Sequence, residues 1–188
     1  YRVLVDRFQG KRLNKPNDVV VRSDGTIYFT DSGHGVQAGD CELPGVYRYH
    51  PTNGKLDLLA DDFAFPNGLA FSPDESRLYI SDSKRSHIRV FEVDEDGDIS
   101  GGRVFAKVRH DESAPPDGMK VDVRGNLYVA ASGGIWVFSQ NGKSLGVIPI
   151  PETPANLAWG DADWRTLYIT ASTSLYRVRL KVQGVETY

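Results

Sequence analysis

The amino-acid sequence predicts an all-β fold, and two observations lead to this prediction. The chain of 188 residues contains 19 Gly, 10 Pro and a single Met, and no long stretch of it has the 3.6-residue apolar period of a helix. Four segments repeat one pattern, in which a tight turn joins two short runs of β-branched and aromatic residues. This pattern is typical of a β-hairpin. The fold is therefore expected to consist of repeated hairpins.

The four repeats begin at proline residues and align almost without gaps. They start at Pro16, Pro66, Pro116 and Pro154, so that successive starts are 50, 50 and 38 residues apart. The expected innermost strands lie at 19–21, 69–71, 119–121 and 157–159. A second hairpin follows in the first three repeats, whereas the last shows only its third strand, at 175–178. A unit of about 40 to 50 residues with four antiparallel strands is the blade of a β-propeller.

These repeats divide the chain into four blades of one domain. The blades are expected near 16–60, 66–107, 116–150 and 154–183, within a single propeller domain that spans 1–188. Residues 1–13 show no hairpin of their own and are interpreted as the outer edge of an earlier blade, with 3–5 paired there. The sequence thus predicts that N-terminal blades are lacking. A sandwich or a barrel is the alternative all-β fold, but neither predicts strand quartets that restart on the same Pro-Asx-Gly signal.

Composition excludes several classes of partner. Lys and Arg number 22 against 25 Asp and Glu, so the net charge of −3 offers no basic face to nucleic acid or to an anionic membrane. No apolar stretch approaches the roughly 20 residues of a membrane span, and the first residues do not resemble a signal peptide. A lone Cys41 excludes an internal disulfide. We expect a soluble protein, either cytoplasmic or periplasmic. The sequence does not determine its oligomeric state.

The second residue of each repeat suggests a cation site. Asn17, Asn67 and Asp117 occupy this position in the first three repeats, and Ala155 occupies it in the fourth. Since blades are related by rotation about one axis, equivalent residues form a ring at the central channel. Oxygen ligands of low total charge suit a hard divalent cation, most simply Ca²⁺. The alternative is that each Asx side chain only caps its own turn.

Other polar side chains are expected near the same end of the channel. Asp31 ends a second strand there, and a local hydrogen-bonding role is favoured for it over contact with a substrate. Asp18 follows Asn17, and strand alternation predicts that the two side chains point to opposite sides. Asp18 is thus a candidate substrate contact or a support for the ligands. His34, in the long loop 33–44, is a candidate substrate contact, although a solvated role is the simpler interpretation.

Four motifs together resemble the family of gluconolactonase, senescence marker protein and luciferin-regenerating enzyme. The motifs are PNDV at 16–19, YFTD at 28–31, PNGL at 66–69 and PDGM at 116–119, and the resemblance runs from Gly10 to the end of the chain. It implies a six-bladed propeller, of which about four blades are present in this chain. It also implies a Ca²⁺ or similar divalent ion low in the central channel, and above the ion a hydrolytic pocket for lactones, usually sugar lactones.

The resemblance also implies residue roles. Asn67 and Asp117 look like direct metal ligands, Asn17 looks like a ligand or a substrate contact, and Asp18 looks like a substrate contact or a supporting group. The remaining ligand of the family is a Glu in an early Glu-Gly-Pro motif, which this sequence does not contain. With this negative charge missing, the chain is expected to bind a cation weakly.

The predicted function is that of a metal-dependent hydrolase that opens the ring of a small-molecule lactone. Asp117, the only carboxylate in the ring of oxygens, is the candidate general base. Asn17 and Asp18 would orient sugar hydroxyls, and His34 or Asp31 would assist. The alternative is a non-catalytic propeller that binds a protein or a sugar. Indifference to a chelator would favour this alternative, because such a scaffold has no need of a metal site.

Overall fold

The computed structural model describes residues 1–33, 35, 44–108 and 114–186. In these ranges the regular structure consists of seventeen strands without a helix. None of the described residues belongs to a helix with the length and apolar character needed to cross a membrane. A short hairpin of β1 (Arg7–Phe8) and β2 (Lys11–Arg12) precedes four larger sheets.

Each of the four sheets is one blade, and its strands pair antiparallel in chain order. Blade 1 contains β3 (Pro16–Val21), β4 (Ile27–Asp31), β5 (Gly45–His50) and β6 (Lys55–Ala60). Blade 2 contains β7 (Pro66–Phe71), β8 (Arg77–Asp82), β9 (His87–Val93) and β10 (Ile99–Lys107). Blade 3 contains β11 (Met119–Val121), β12 (Leu127–Ala131), β13 (Gly134–Phe138) and β14 (Ser144–Pro149). Blade 4 contains β15 (Pro154–Gly160), β16 (Thr166–Ala171) and β17 (Leu175–Arg179). The prediction of an all-β propeller with four successive blades is confirmed.

Apolar side chains of the inner strands join each blade to the one before it. Phe71 of β7 meets Tyr28 of β4 edge to face, with ring centroids 4.9 Å apart. Trp159 of β15 meets Tyr128 of β12 in the same way at 5.1 Å. Val121 of β11 is buried in a cluster that includes residues of blade 2. Edge-to-face aromatic pairs add about 0.5–1.5 kcal/mol to the burial of their area, so these contacts hold the order of the blades.

The inner strand of blade 1 differs, because its corresponding side chains are exposed. Val19 and Val21 are 57% and 39% exposed, whereas Leu69 and Phe71, at the same repeat positions of blade 2, are 0% and 8% exposed. Successive side chains of a strand point to opposite faces, so these valines lie on the face of β3 that is turned away from blade 2. The outer part of the same face is covered by the N-terminal residues.

Residues 7–12 form a hairpin, so the prediction that residues 1–13 contain no hairpin is wrong. Residues 3–5 lie outside any strand, and β1 and β2 pair through a turn in which Gln9 and Gly10 have φ angles of 50° and 83°. Such left-handed angles at two central residues are typical of a two-residue hairpin turn. Phe8 packs against Tyr47 of blade 1 at 5.3 Å. This aromatic contact holds the hairpin against blade 1. The pairing of residues 3–5 with an earlier blade stays a prediction.

Blade 4 has a carboxylate that fastens the connection before β15 to the β16–β17 turn. Glu152 accepts hydrogen bonds from the backbone N–H of Thr173 at 2.8 Å and from the hydroxyls of Thr173, Ser174 and Tyr176 at 3.0, 2.7 and 3.0 Å. These bonds favour the ionised form. They lower the pKa of the Glu152 carboxyl to about 2.

We expect the variant Glu152→Gln to lose stability in a pH-dependent way. A lowered pKa in the folded state means that the carboxylate stabilises the fold above the ordinary pKa of 4.5, and that this contribution is lost as the pH falls toward 2. Urea unfolding midpoints measured between pH 7 and pH 2.5 should therefore converge for the variant and the wild type. Glu95→Gln, at the exposed tip of the β9–β10 hairpin, should show no such convergence. A Glu152→Gln difference that is constant with pH would contradict the prediction.

Candidate metal-binding and active site

A β-bulge near the start of each inner strand sets the direction of the candidate side chains. In blades 1, 2 and 4 the pairing register shifts within the first residues of the inner strand. In blade 3, Asp117 and Gly118 both hydrogen-bond to the backbone of Ala130. A bulge places two residues opposite one and re-aims their side chains. Regular alternation, on which the predicted opposite directions of Asn17 and Asp18 depended, is therefore interrupted at these two residues.

The structure brings Asn67 and Asp117 together across the interface between blades 2 and 3. Asn67 is only 8% exposed, and its Nδ2 donates a hydrogen bond to Ser83 Oγ at 3.1 Å. Its side chain also interacts with the Asp117 carboxylate. Asn67 Oδ1 is buried and has no hydrogen-bond partner among the described residues. Buried polar atoms nearly always have a partner, so an unpaired acceptor points to a missing ligand.

The Asp117 carboxyl lies in surroundings that disfavour its charge. Burial, as the largest effect, raises its pKa to about 6. The Asn67 side chain and the backbone N–H of Gly118 act in the opposite direction, because they stabilise the ionised form. The negative charge of Asp18 adds to the rise. Asp117 is therefore a carboxyl group whose proton equilibrium lies close to neutral pH, a property common among catalytic acids and bases.

Asp18 joins blade 1 to blade 2 beside this pair. Its Oδ1 accepts the N–H of Val19 at 2.9 Å, and its Oδ2 accepts the N–H of Leu69, in the inner strand of blade 2, at 3.3 Å. Its charge acts on both Asp117 and Lys120. Asp18 thus stands within electrostatic range of the candidate base. Backbone hydrogen bonds from two blades hold its carboxylate in place.

Asp31 has a local role, as sequence reasoning favoured. It is fully buried, and it accepts the backbone N–H groups of Asn14 and Lys15 at 2.7 Å each. These two residues belong to the crossover, the connection that leads into the blade. Asp82 does the same in blade 2 at 2.9 and 3.2 Å. These bonds tie the crossover to the end of the second strand. Because no oxygen of Asp31 is exposed, the geometry does not support its proposed contact with a substrate.

Asn17 and His34 are not part of the observed cluster. Asn17 is exposed at the start of β3, and its side chain makes no hydrogen bond within the described part of the chain. His34, with nearly all of its loop, lies outside the described residues. The predicted roles of Asn17 and His34 therefore stay predictions. So does the assignment of Asn67 and Asp117 as ligands.

Lys120 is a polar channel residue that sequence reasoning missed. It is partly buried on β11 and donates to the carbonyl oxygen of Met119 at 2.9 Å. Burial lowers the pKa of its ammonium group, and the nearby Asp18 opposes this effect. Val20, Ala70 and Ala158 stand at the same repeat position. A charged residue in a register that is otherwise apolar was the signal that could have identified it.

A cavity opens at the other end of the inner strands. It has a volume of about 520 Å³, and its lining includes Lys120, Trp159 and Val185 but not Asn17, Asn67 or Asp117. The C-terminal segment forms part of its wall, because the N–H of Val185 bonds to the carbonyl of Val121 at 3.1 Å. Lys120 is thus three residues from the candidate base and faces this space.

The donor atoms near Asn67 fit a hard cation better than a soft one. Within the described ranges, no three His, Cys, Asp or Glu side chains cluster as a metal site. The available donors are an amide oxygen and a carboxylate, and hard cations such as Ca²⁺ prefer oxygen ligands. The unpaired Oδ1 of Asn67 is the atom that such an ion would satisfy. The residues present therefore fit a divalent cation of this class.

Comparison with known proteins identifies the family of this chain. The family model described as SMP-30/Gluconolactonase/LRE-like region matches residues 1–173. A gluconolactonase of Zymomonas mobilis is 40% identical over 197 residues, which cover 97% of this chain and 55% of the relative. A 6-deoxy-6-sulfogluconolactonase of Pseudomonas putida is 33% identical over 121 residues, which cover 63% of this chain and 42% of the relative.

A solved structure gives the same result. The gluconolactonase of Xanthomonas campestris superposes with a TM-score of 0.86 at 38% identity, over 95% of this chain and 61% of that protein. The chain thus spans about half to three fifths of the length of the two gluconolactonases it matches. The family match covers most of the chain, and sequence and structure agree on it. The chain therefore belongs to the SMP-30/gluconolactonase/LRE-like family.

Proposed function

We propose that the protein is a metal-dependent hydrolase that opens the ring of a lactone, and that a sugar lactone such as gluconolactone is its substrate. The observation that carries this proposal is the pairing of an unsatisfied buried oxygen, Asn67 Oδ1, with a carboxyl whose pKa lies near 6, Asp117. Two of the relatives are named for the hydrolysis of sugar lactones, which supports the substrate class. Because the chain spans only part of their length, the proposal concerns the activity of the whole protein.

Asn67 and Asp117 would hold the divalent ion, with Asn17 as a further oxygen donor. Ca²⁺ is the ion proposed, because it accepts six to eight oxygen ligands and fills unused positions with water. When bound, such an ion polarises a carbonyl oxygen as a Lewis acid. The protein's part is to present oxygens rather than nitrogen or sulfur, and to keep one negative charge among them.

Asp117 is the proposed general base. Burial raises the pKa of the metal-free Asp117 carboxyl to about 6. A bound cation would favour the ionised form, so the carboxylate would be available at neutral pH to accept a proton. An Oδ atom of Asp117 takes a proton from water as the water oxygen bonds to the lactone carbonyl carbon. The bond from this carbon to the ring oxygen then breaks. The proton passes to the departing ring oxygen, which becomes a hydroxyl, and the carboxyl product leaves with the water oxygen.

Neighbouring residues would orient the sugar. Asn17 is exposed at the channel mouth and can bond to a hydroxyl, and Asp18 is held in place beside Asp117 by backbone N–H groups. His34 is a further proposed contact. Asp31 has no part in this proposal, because its oxygens are buried and bonded to the crossover.

Metal removal tests the proposal. Hydrolysis of gluconolactone by the full-length protein, followed with a pH indicator, should stop when EDTA is added and return when Ca²⁺ is supplied in excess. The reason is that carbonyl polarisation depends on the ion held by Asn67 and Asp117. Restoring Ca²⁺ to a sample without enzyme controls for the spontaneous reaction. Absence of lactone turnover would remove the enzyme proposal and favour the binding module, and turnover indifferent to EDTA would remove its dependence on metal.

A further inference from the structure

A serine follows the second strand in every repeat. The hydroxyl of Ser83 has a different hydrogen-bond acceptor from the hydroxyls of Ser32 and Ser172. The four residues are Ser32, Ser83, Ser132 and Ser172. Ser32 and Ser172 donate to carbonyl oxygens of the crossover before their own blade, at 3.4 and 3.5 Å. Ser83 instead donates to the carbonyl oxygen of Pro116, in the next blade, at the much shorter distance of 2.7 Å. It also contacts the Asn67 side chain.

The chemistry of these two contacts fixes the orientation of the Asn67 amide. A serine hydroxyl has one hydrogen, and a carbonyl oxygen can only accept. The hydrogen of Ser83 is therefore directed to Pro116, and only lone pairs of Oγ face Asn67. The Asn67 atom 3.1 Å away must then be the donor Nδ2 and not Oδ1. The oxygen accordingly points away from Ser83.

The orientation of the amide decides which of its two polar atoms is left for another ligand. Nδ2 donates to Ser83 Oγ. This leaves Oδ1 buried and without a partner among the described residues.

We propose that Ser83 is a positioning residue that selects the amide orientation of Asn67, so that Oδ1 rather than Nδ2 is offered to the cation. The inference rests on the proposed function, because it assigns a supporting residue to the same site. An amide that is rotated by half a turn would present N–H hydrogens, which repel a cation. Through Pro116, which precedes Asp117, the same hydroxyl also links the orientation of one proposed ligand to the segment that carries the other.

Other hydroxyls at the blade interfaces do not have this property. Thr30 Oγ1 donates to the carbonyl oxygen of Asn67 at 2.7 Å, and Ser81 Oγ donates to that of Asp117 at 3.1 Å. Both hold the backbone of a candidate ligand. Neither is bonded to the Asn67 amide group, so neither can distinguish its oxygen from its nitrogen.

Calcium affinity and amide exchange test the proposal together. Replacement of residues that orient metal ligands typically costs 10–100-fold in metal affinity, so calorimetric titration with CaCl₂ should show a loss of about this size in Ser83→Ala. Ser83→Thr, which keeps the hydroxyl, should bind like the wild type. Ser32→Ala removes a buried serine at the same repeat position in blade 1 and is the matched control. Thermal unfolding without metal identifies any variant that has lost its fold, and Ser83→Gly serves as a second hydroxyl deletion.

A readout without metal keeps the inference separate from the proposed function. In calcium-free, ¹⁵N-labelled protein, the Asn67 side-chain amide, assigned by its loss in Asn67→Ala, should have one hydrogen that exchanges slowly with water. Slow exchange should disappear in Ser83→Ala and persist in Ser83→Thr. Unchanged exchange in Ser83→Ala would overturn the proposal, and so would unchanged calcium affinity in this variant when the wild type binds calcium. If the wild type binds no divalent cation but the amide responds as described, the metal-dependent function fails and the orienting role of Ser83 stands.

Discussion

Replacing Asp117 by asparagine is expected to lower lactone turnover by about 10²- to 10⁴-fold, the range that general base catalysis contributes. Asparagine keeps the size of the side chain and one oxygen atom, but an amide does not accept a proton at neutral pH. The measurement is kcat for gluconolactone in the full-length protein, followed by pH indicator with saturating substrate and calcium. Saturation with calcium matters because Asp117 is also a proposed ligand, and a weakened site would otherwise imitate the loss of a base.

Two controls make this result interpretable. Asp24→Asn removes a carboxylate in the β3–β4 turn, at the opposite end of the blade. Asparagine can still accept the N–H of Thr26 there, now 2.8 Å from Asp24 Oδ1, so turnover should not change. Calorimetric titration of Asp117→Asn then shows how much calcium is needed to fill the site. Near-normal turnover in Asp117→Asn at saturating calcium would assign the base to another group.

Sequence reasoning was sufficient for the blades because their signals are local. Each repeat carries its own turn between two short runs, and the starts at Pro16, Pro66 and Pro116 are evenly spaced. The N-terminal hairpin was missed for the opposite reason. It is held by the contact between Phe8 and Tyr47, which lie 39 positions apart, and no short-range pattern records such a contact.

The site could be predicted in outline but not in its contacts. Repeat position was enough to bring Asn67 and Asp117 together, because equivalent residues lie at equal depth in a propeller. The bulge at residues 17 and 18 depends on pairing between strands, so alternation alone could not predict the direction of the Asp18 side chain. The role of Ser83 depends on which carbonyl of the next blade comes within reach, and that is a property of the interface between blades.

The third residue of each repeat shows how that interface varies. Between blades 1 and 2 this residue is Asp18, whose carboxylate spans the gap to the N–H of Leu69 at 3.3 Å. Between blades 2 and 3 it is Gly68, and the two backbones approach each other directly. The hydroxyl of Ser81 reaches the carbonyl of Asp117 at 3.1 Å across the same interface. The candidate base therefore lies just before β11, in a segment whose position depends on the absence of a side chain at residue 68.

We expect Gly68→Ala to destabilise the protein by about 3 kcal/mol, at the upper end of the range for overpacked interiors. An added Cβ would overlap the carbonyl oxygen of Asp117 and lie 2.7 Å from the Cα of Gly118. Both neighbours are backbone atoms, so no side-chain rotation can relieve the overlap, and β7 and β11 must separate. The separation would also move Asp117 away from Asn67. Urea unfolding measures the loss of stability, and calcium titration of the folded variant should show weakened binding.

Gly54→Ala distinguishes this close approach from the general cost of replacing a glycine. Gly54 lies in the β5–β6 turn with a φ angle of 72°, and an added Cβ there meets no atom within 4 Å. Its replacement should cost about 1–2 kcal/mol through the left-handed backbone alone and leave calcium affinity unchanged. If Gly68→Ala proved as stable as the wild type, or bound calcium equally well, the two strands would not be in the direct contact that holds Asp117 beside Asn67.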